Sequence, residues 1–140
     1  MNYQVKPFEI ELYDSVIQLW GKCEGVGLGK SDSKENINGF LNRNPGMGFV
    51  AIKGEKIIGA VLCGHDGRRG YIHHLAVEPA EREQGIGKKL IEFCLNSFKE
   101  YGILKCHIFI FNSNETGRKF WESIGWEYRK DISLISKFIY

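Results

Sequence analysis

LAVEPAEREQGIGKKLIEF, Leu75–Phe93, is the stretch on which the fold turns. The β-rich run Tyr71–Val77 enters it, and Pro79 ends that run. Two glycines follow. From Gly85 onward, Ile86, Leu90, Phe93 or Cys94, Ser97, Phe98 and Tyr101 fall on one side of a helical wheel. The spacing predicts a helix over Gly85–Tyr101, stopped by Gly102. Ile103–Phe111 is the next apolar run, too rich in Ile and Phe for an edge strand exposed on both faces. Strand, helix, strand in that order predicts a parallel crossover.

Working outward, Phe8–Cys23 carries Leu12, Val16, Leu19, Trp20 and Cys23 at spacings of three and four, which reads as an amphipathic helix. Ser31 or Asp32 caps a second helix toward Asn42. Asn44-Pro45-Gly46 breaks the chain. Phe49–Ile52 and Ile57–Cys63 flank the turn Lys53–Lys56 and read as a hairpin, with Tyr71–Val77 as the third strand of a meander. Asn114–Ile124 is a short helix, and Trp126–Tyr128 and Ser133–Ile139 read as closing strands. The predicted order is ααβββαβαββ, a mixed α/β domain.

The 140 residues are 43% hydrophobic, which suits one compact core and a single domain over 1–140. Nineteen basic against 17 acidic residues leave a net charge of +2, so nothing draws the chain to nucleic acid or to a membrane surface. Cys23, Cys63, Cys94 and Cys106 sit in apolar segments with no C-x-x-C spacing. They read as buried free thiols, not as disulfides or metal ligands, and point to a reducing cytoplasm. No apolar run has the length of a membrane span.

Two glycine-rich stretches compete for a phosphate. EGVGLGKS, Glu24–Ser31, ends like a P-loop, but Glu24 stands where the first P-loop glycine belongs and a helix pattern precedes it. It reads as a mobile connection between helices. Arg82-x-x-Gly85-x-Gly87 follows a strand and opens a helix. Amides in the first helical turn lack intrahelical partners, and the helix dipole makes that end positive. Glycines at 85 and 87 let a diphosphate approach, and Arg82, Lys88 and Lys89 add charge.

Leu75–Phe93 resembles the acyl-CoA-binding motif of the GNAT superfamily of N-acetyltransferases. NSNETGRKFWESIGW, Asn112–Trp126, is similar to that family's C-terminal motif, with Asn114, Trp121, Gly125 and Trp126 in its marked places. GHDGRRG before the strand and LWGKCEG near the start resemble a bacterial subgroup of small single-domain members. The resemblance implies a GNAT fold whose two central parallel strands splay apart. It implies acetyl-CoA as co-substrate, with no metal. Leu75, Ala76 and Val77 are then expected to pair with the pantetheine arm. The amides of Gln84, Gly85, Ile86, Gly87 and Lys88, with Arg82 beside them, are expected to cradle the pyrophosphate. Asn114 and Trp121 are expected against the CoA chain.

The implied reaction is acyl transfer to a primary amine of a small molecule or a protein N-terminus, by direct attack. A non-catalytic acyl-CoA-binding module is the alternative. On the third strand, Tyr71, His73, Leu75 and Val77 share one face and Ile72, His74 and Ala76 the other. His73 is the candidate base, with a pKa suited to neutral pH, and Tyr71 a second catalytic candidate. His74 ranks below His73, and His65 and His107 read as structural. Trp121 stands where many relatives carry a tyrosine that protonates the leaving thiolate; Tyr71, Tyr128 or water are left for that task. In the family the N-terminal helices form the acceptor wall, here Trp20, Cys23 and Glu24. A homodimer is left open.

Overall fold

The structure is a computed structural model that describes residues 2–140. The described residues divide between Phe109 and Ile110 into two compact units.

The first unit is a five-stranded sheet with helices on both faces. Strand β1 (Gln4–Pro7) leads through a 3-10 turn to helix α1 (Tyr13–Lys22). Helix α2 (Lys34–Arg43) follows, then β2 (Gly48–Lys53), β3 (Lys56–His65) and β4 (Arg69–Val77). Helix α3 (Ile86–Glu100) crosses to β5 (Lys105–Ile108). The sheet order is β1-β2-β3-β4-β5; β4 and β5 are parallel and the other pairs antiparallel.

Alternation along β3 separates the two layers. A side chain at Gly59 would touch Leu90 and Ile86 of α3, whereas the next residue, Ala60, packs with Val16, Leu19 and Trp20 of α1. Gly59 and Gly70 let α3 lie close: a Cβ at Gly70 would sit 2.6 Å from the Phe98 ring.

The meander, the crossover and the helices appear where the periodicity placed them, with shifted ends. Strand β1 was not legible: it has four residues, three of them exposed, and only pairing with β2 from Gln4↔Ile52 to Pro7↔Phe49 makes it a strand. Ser33, not Ser31 or Asp32, caps α2, its hydroxyl accepting from the Asn36 amide at 3.2 Å. A helix, not a strand, precedes Glu24–Ser31, which removes the setting a P-loop needs.

The second unit contains helix α4 (Glu115–Ser123). The closing strands expected at Trp126–Tyr128 and Ser133–Ile139 are absent: residues 126–140 carry no strand. Ile132, Leu134, Ile135, Phe138 and Ile139 are largely exposed. β-propensity reports a fit to a half-buried pleated surface, and without a paired neighbour it does not make a strand.

Candidate functional site

The mouth of α3 is built by backbone conformation. Pro79–Glu81 make a 3-10 turn after β4, and Arg82 is extended. Glu83 (φ 64°) and Gly85 (φ 83°) are then left-handed. A non-glycine residue in that region is uncommon and marks a chain held by its surroundings. Gly85 is the N-cap and offers no side chain to the helix. A Cβ added there would meet nothing within 4 Å, so the mouth is open. The helical ladder begins with the Lys89 amide donating to the Gly85 carbonyl at 3.0 Å. The amides of Ile86, Gly87 and Lys88 precede it and have no intrahelical acceptor. The step from left-handed Gly85 into the helix turns successive N–H groups to one side, which makes an anion-binding concavity.

Around that mouth, Gln84, Lys88 and Lys89 are exposed, while Ile86 and Gly87 are buried against the sheet. Arg82 does not project freely. Its Nε donates to the Val77 carbonyl at 3.0 Å, and its Nη2 lies 3.6 Å from the Cys23 sulfur.

The strand before the mouth parts from its neighbour. The β4–β5 register runs from Arg69↔Lys105 to Ile72↔Ile108, and β4 continues to Val77 paired only with β3. Leu75, Ala76 and Val77 therefore lie beyond the end of the parallel ladder.

Beside this divergence is a cleft of about 550 Å³. Its walls are Gly27, Leu28 and Gly29 of the glycine run and Asn36, Ile37 and Phe40 of α2. Leu62, His73 and His74 of the sheet and the turn residues Ser31 and Asp32 complete it. A second, more polar cleft of about 440 Å³ lies between α1 and the β2–β3 hairpin. Two of its lysines are neutralised by Lys22–Glu78 and Lys53–Glu81 pairs at 3.1 and 2.8 Å. The first cleft is the one lined by histidines, His73 and His74; the carboxylates of the second are Glu55 and the lysine-paired Glu78.

The expected alternation along β4 fails at its centre. Opposite β3, Ala60 pairs with Ala76 but Leu62 pairs with His73, so β4 carries an extra residue there. His74 takes up the excess in a left-handed conformation (φ 53°). The β-bulge shifts every later side chain by one face. His74, expected on the face opposite His73, lines the same cleft, and Ala76 joins the α1 core beside Trp20 and Leu62.

The two histidines sit in different surroundings. His73 is packed among rings: Phe40 edge-on at 6.0 Å, Tyr71 stacked at 6.3 Å and Phe109 stacked at 6.3 Å. Burial holds its pKa below the usual histidine value, the neighbouring His74 pushes the same way, and Asp32 partly opposes both. His74 instead has a carboxylate. Its Nε2 lies 2.8 Å from Asp32 Oδ1, and the Trp20 ring meets its own edge-on at 4.9 Å. Asp32 is buried, and its Oδ2 accepts from the Gly29 amide at 2.9 Å. The Tyr13 hydroxyl donates to the Asp32 carbonyl oxygen. Burial, then the charges of Asp32 and Asp14, raise the Tyr13 pKa.

Of the expected acceptor-wall residues, Trp20 and Cys23 are core residues at 0% and 6% exposure, and Glu24 is exposed. None of the three lines the cleft. The Trp20 indole N–H has no hydrogen-bond partner among the described residues. Asp32 was legible only as a helix cap, because its link to His74 spans 42 residues.

All four cysteines are free. Cys106 is pushed up to about 11 by burial and by Cys63, and Cys94 is raised by its bond to Cys63 and by burial. Such thiols are poor nucleophiles. His65 accepts from the Gly67 amide at 3.0 Å, and His107 packs 5.9 Å from the Tyr71 ring. Among the described residues no helix is long and apolar enough to cross a membrane.

Within the second unit, Asn114 caps α4, its Oδ1 accepting from the Gly117 amide at 2.9 Å. Trp121 packs edge-on against Trp126 at 4.7 Å, and left-handed Gly125 (φ 95°) ends the helix. The Arg118 guanidinium lies 3.9 Å over the Tyr128 ring. Asn114, Trp121, Gly125 and Trp126 thus shape one helix and its two ends.

Comparison with known proteins bears on the family and the fold. An acetyltransferase of Pectobacterium atrosepticum is 28% identical over 136 residues, 97% of this chain and 96% of its own. One of Sodalis glossinidius is 25% identical over 134 residues, 96% and 94%. The PaiA N-acetyltransferase of Thermoplasma acidophilum, solved with coenzyme A, superposes with a TM-score of 0.78. It is 17% identical, and the match covers 92% of each chain, a likeness of fold. The profile of the acetyltransferase (GNAT) family matches residues 13–126. With that match over most of its length, the chain belongs to the GNAT family of acetyltransferases.

Proposed function

We propose that this protein transfers an acetyl group from acetyl-CoA to a primary amine, carried by a small molecule or a protein N-terminus. The observation that carries the reading is the open, uncapped mouth of α3. It directly follows a strand whose parallel ladder has already ended. Acetyl-CoA fits these residues. Its diphosphate needs donors and positive charge without side-chain obstruction, and Gly85, the amides of Ile86 to Lys88 and the exposed Lys88 and Lys89 supply both. The edge of Leu75–Val77, beyond the last rung of the ladder with β5, takes the pantetheine arm as an added strand. An amide of the same segment, near Leu75 or Val77, stabilises the oxyanion.

The cleft beside β4 receives the amine, and a histidine on its wall takes the ammonium proton. Tyr71, stacked on His73, is a candidate donor to the leaving sulfur. Asn114 and Trp121 are read against the CoA chain, and 1–140 is read as a single domain; the family match over residues 13–126 supports this. Four free thiols suit a reducing cytoplasm. A second reading, acyl-CoA binding without turnover, draws on Trp121, whose indole N–H does not release its proton near neutrality.

Two measurements decide. Titration calorimetry with CoA is expected to show binding that the double variant Lys88→Glu/Lys89→Glu weakens at least about tenfold, because two charges reverse beside the diphosphate. Release of free thiol from acetyl-CoA is then followed over a panel of amines. Absence of CoA binding at saturation refutes the site. Tight binding with no thiol release on any amine favours the binding module.

A further inference from the structure

Resting on the reading that the acceptor is an amine, we propose that His74, held in place by Asp32, is the general base that deprotonates it. Asp32 is the positioning residue. The extra residue in β4 puts two consecutive histidines on one cleft wall, so that the cleft faces two imidazoles with unlike surroundings.

Two contacts preorganise the His74 ring. Asp32 Oδ1 binds Nε2 at 2.8 Å, and Trp20 packs against the ring edge-on. The bond to Asp32 fixes the proton of the neutral ring on Nε2 and leaves the lone pair on Nδ1. Asp32 is itself fixed by the Gly29 amide, and its backbone carbonyl by the Tyr13 hydroxyl. The His74 side chain keeps 20% of its surface exposed, while Asp32 keeps 9%. A buried carboxylate behind a partly exposed imidazole stabilises positive charge on that imidazole once it accepts a proton. The titratable groups facing His74 are Asp32 from the turn before α2 and His73 from its own strand; the Tyr13 phenol of α1 lies behind Asp32.

His73 competes for the same proton. Its ring is enclosed by three others, and burial disfavours its charged form. Of the two adjacent imidazoles, His74 is the one hydrogen-bonded to a carboxylate. The left-handed φ of His74 is strained for a residue with a side chain, and such strain concentrates at functional sites.

The step balances. The ammonium gives one proton to His74 Nδ1. The neutral amine nitrogen forms a C–N bond to the thioester carbonyl carbon, and the C–S bond breaks with its electron pair on sulfur. The nitrogen sheds its second proton, which neutralises the CoA thiolate. His74 later returns its proton to water.

The test is thiol release from acetyl-CoA with tyramine, spermidine and an alanine-initiated peptide, followed as kcat/KM from about pH 5.5 to 9. Wild-type turnover on at least one amine is established first. His74→Gln is expected to lower kcat/KM about 100-fold at neutral pH and to erase the acidic limb of the profile. Asp32→Asn keeps the shape but removes the charge; it is expected to cost about tenfold and to move that limb to lower pH. CoA affinity stays within about twofold in both variants, since neither residue touches the α3 mouth. A His74→Gln enzyme that keeps the acidic limb overturns the proposal, whether its rate falls or not. So does Asp32→Asn with the limb unmoved, a result that also serves if His74→Gln does not fold. Wild-type inactivity on every amine overturns the amine reading itself, and this proposal with it.

Discussion

Gly85 offers the sharpest separation of backbone geometry from side-chain contact. Its φ of 83° lies where L-residues are strained, yet a Cβ there would touch nothing within 4 Å. Gly85→Ala therefore costs no packing, and its effect is conformational. Holding alanine left-handed costs about 1–2 kcal/mol, offset in part because alanine restricts the unfolded chain more than glycine does. The net expectation is a loss of about 1 kcal/mol, or roughly 4 °C in Tm for a chain of this length. Gly85→Asn recovers about half, because asparagine tolerates this region better. The same glycine sets the direction of the first helical amides. If one amide–phosphate bond is misaligned in Gly85→Ala, CoA affinity falls about tenfold to a hundredfold, from the ~1.5–3 kcal/mol of a charged hydrogen bond. Differential scanning fluorimetry reads the first effect and calorimetry the second. An alanine variant as stable as wild type refutes the left-handed requirement. A destabilised variant with undiminished CoA affinity refutes the phosphate assignment and leaves the backbone argument standing.

Gly39 is the matched opposite: it lies exposed in the middle of α2, where an added Cβ would meet nothing within 4 Å, and Gly39→Ala is expected to stabilise by about 1 kcal/mol in urea titration. Gly70→Ala forces a methyl to 2.6 Å from the Phe98 ring and is expected to cost about 1–3 kcal/mol, with Phe98→Leu in the same chain restoring part of it by chevron or equilibrium analysis. The lowered pKa of His73 has a definite sign: the unfolded chain binds the proton first, so its contribution is present above about pH 6.5 and is lost as pH falls from there toward the folded value. His73→Gln is accordingly expected to flatten the fall in Tm between about pH 6.5 and 5, and an equally steep fall in the variant would refute the burial argument.

Local signals were the readable ones. The glycine-opened α3, the β2–β3–β4 meander and the crossover to β5 all rest on residues close together in the chain, and all three are present. Elements that depend on a distant partner were not readable in the same way. β1 became a strand by pairing with β2, and the tail past Trp126 stayed irregular despite its alternating apolar residues. Arg82 was legible as a positive charge near the phosphates, but its bond to the Val77 carbonyl was not.

The order of residues alone determined the open mouth of α3, because a left-handed glycine, a helix start and flanking lysines are properties of neighbours along the chain. Only the tertiary structure decided which histidine meets a carboxylate. That depends on one extra residue between two ladder positions of β4 and on a turn 42 residues away, and neither leaves a mark on local periodicity. A single-residue change of register turns a side chain to the opposite face of a sheet, so no pattern of alternation read without the ladder could have put His73 and His74 in the same cleft.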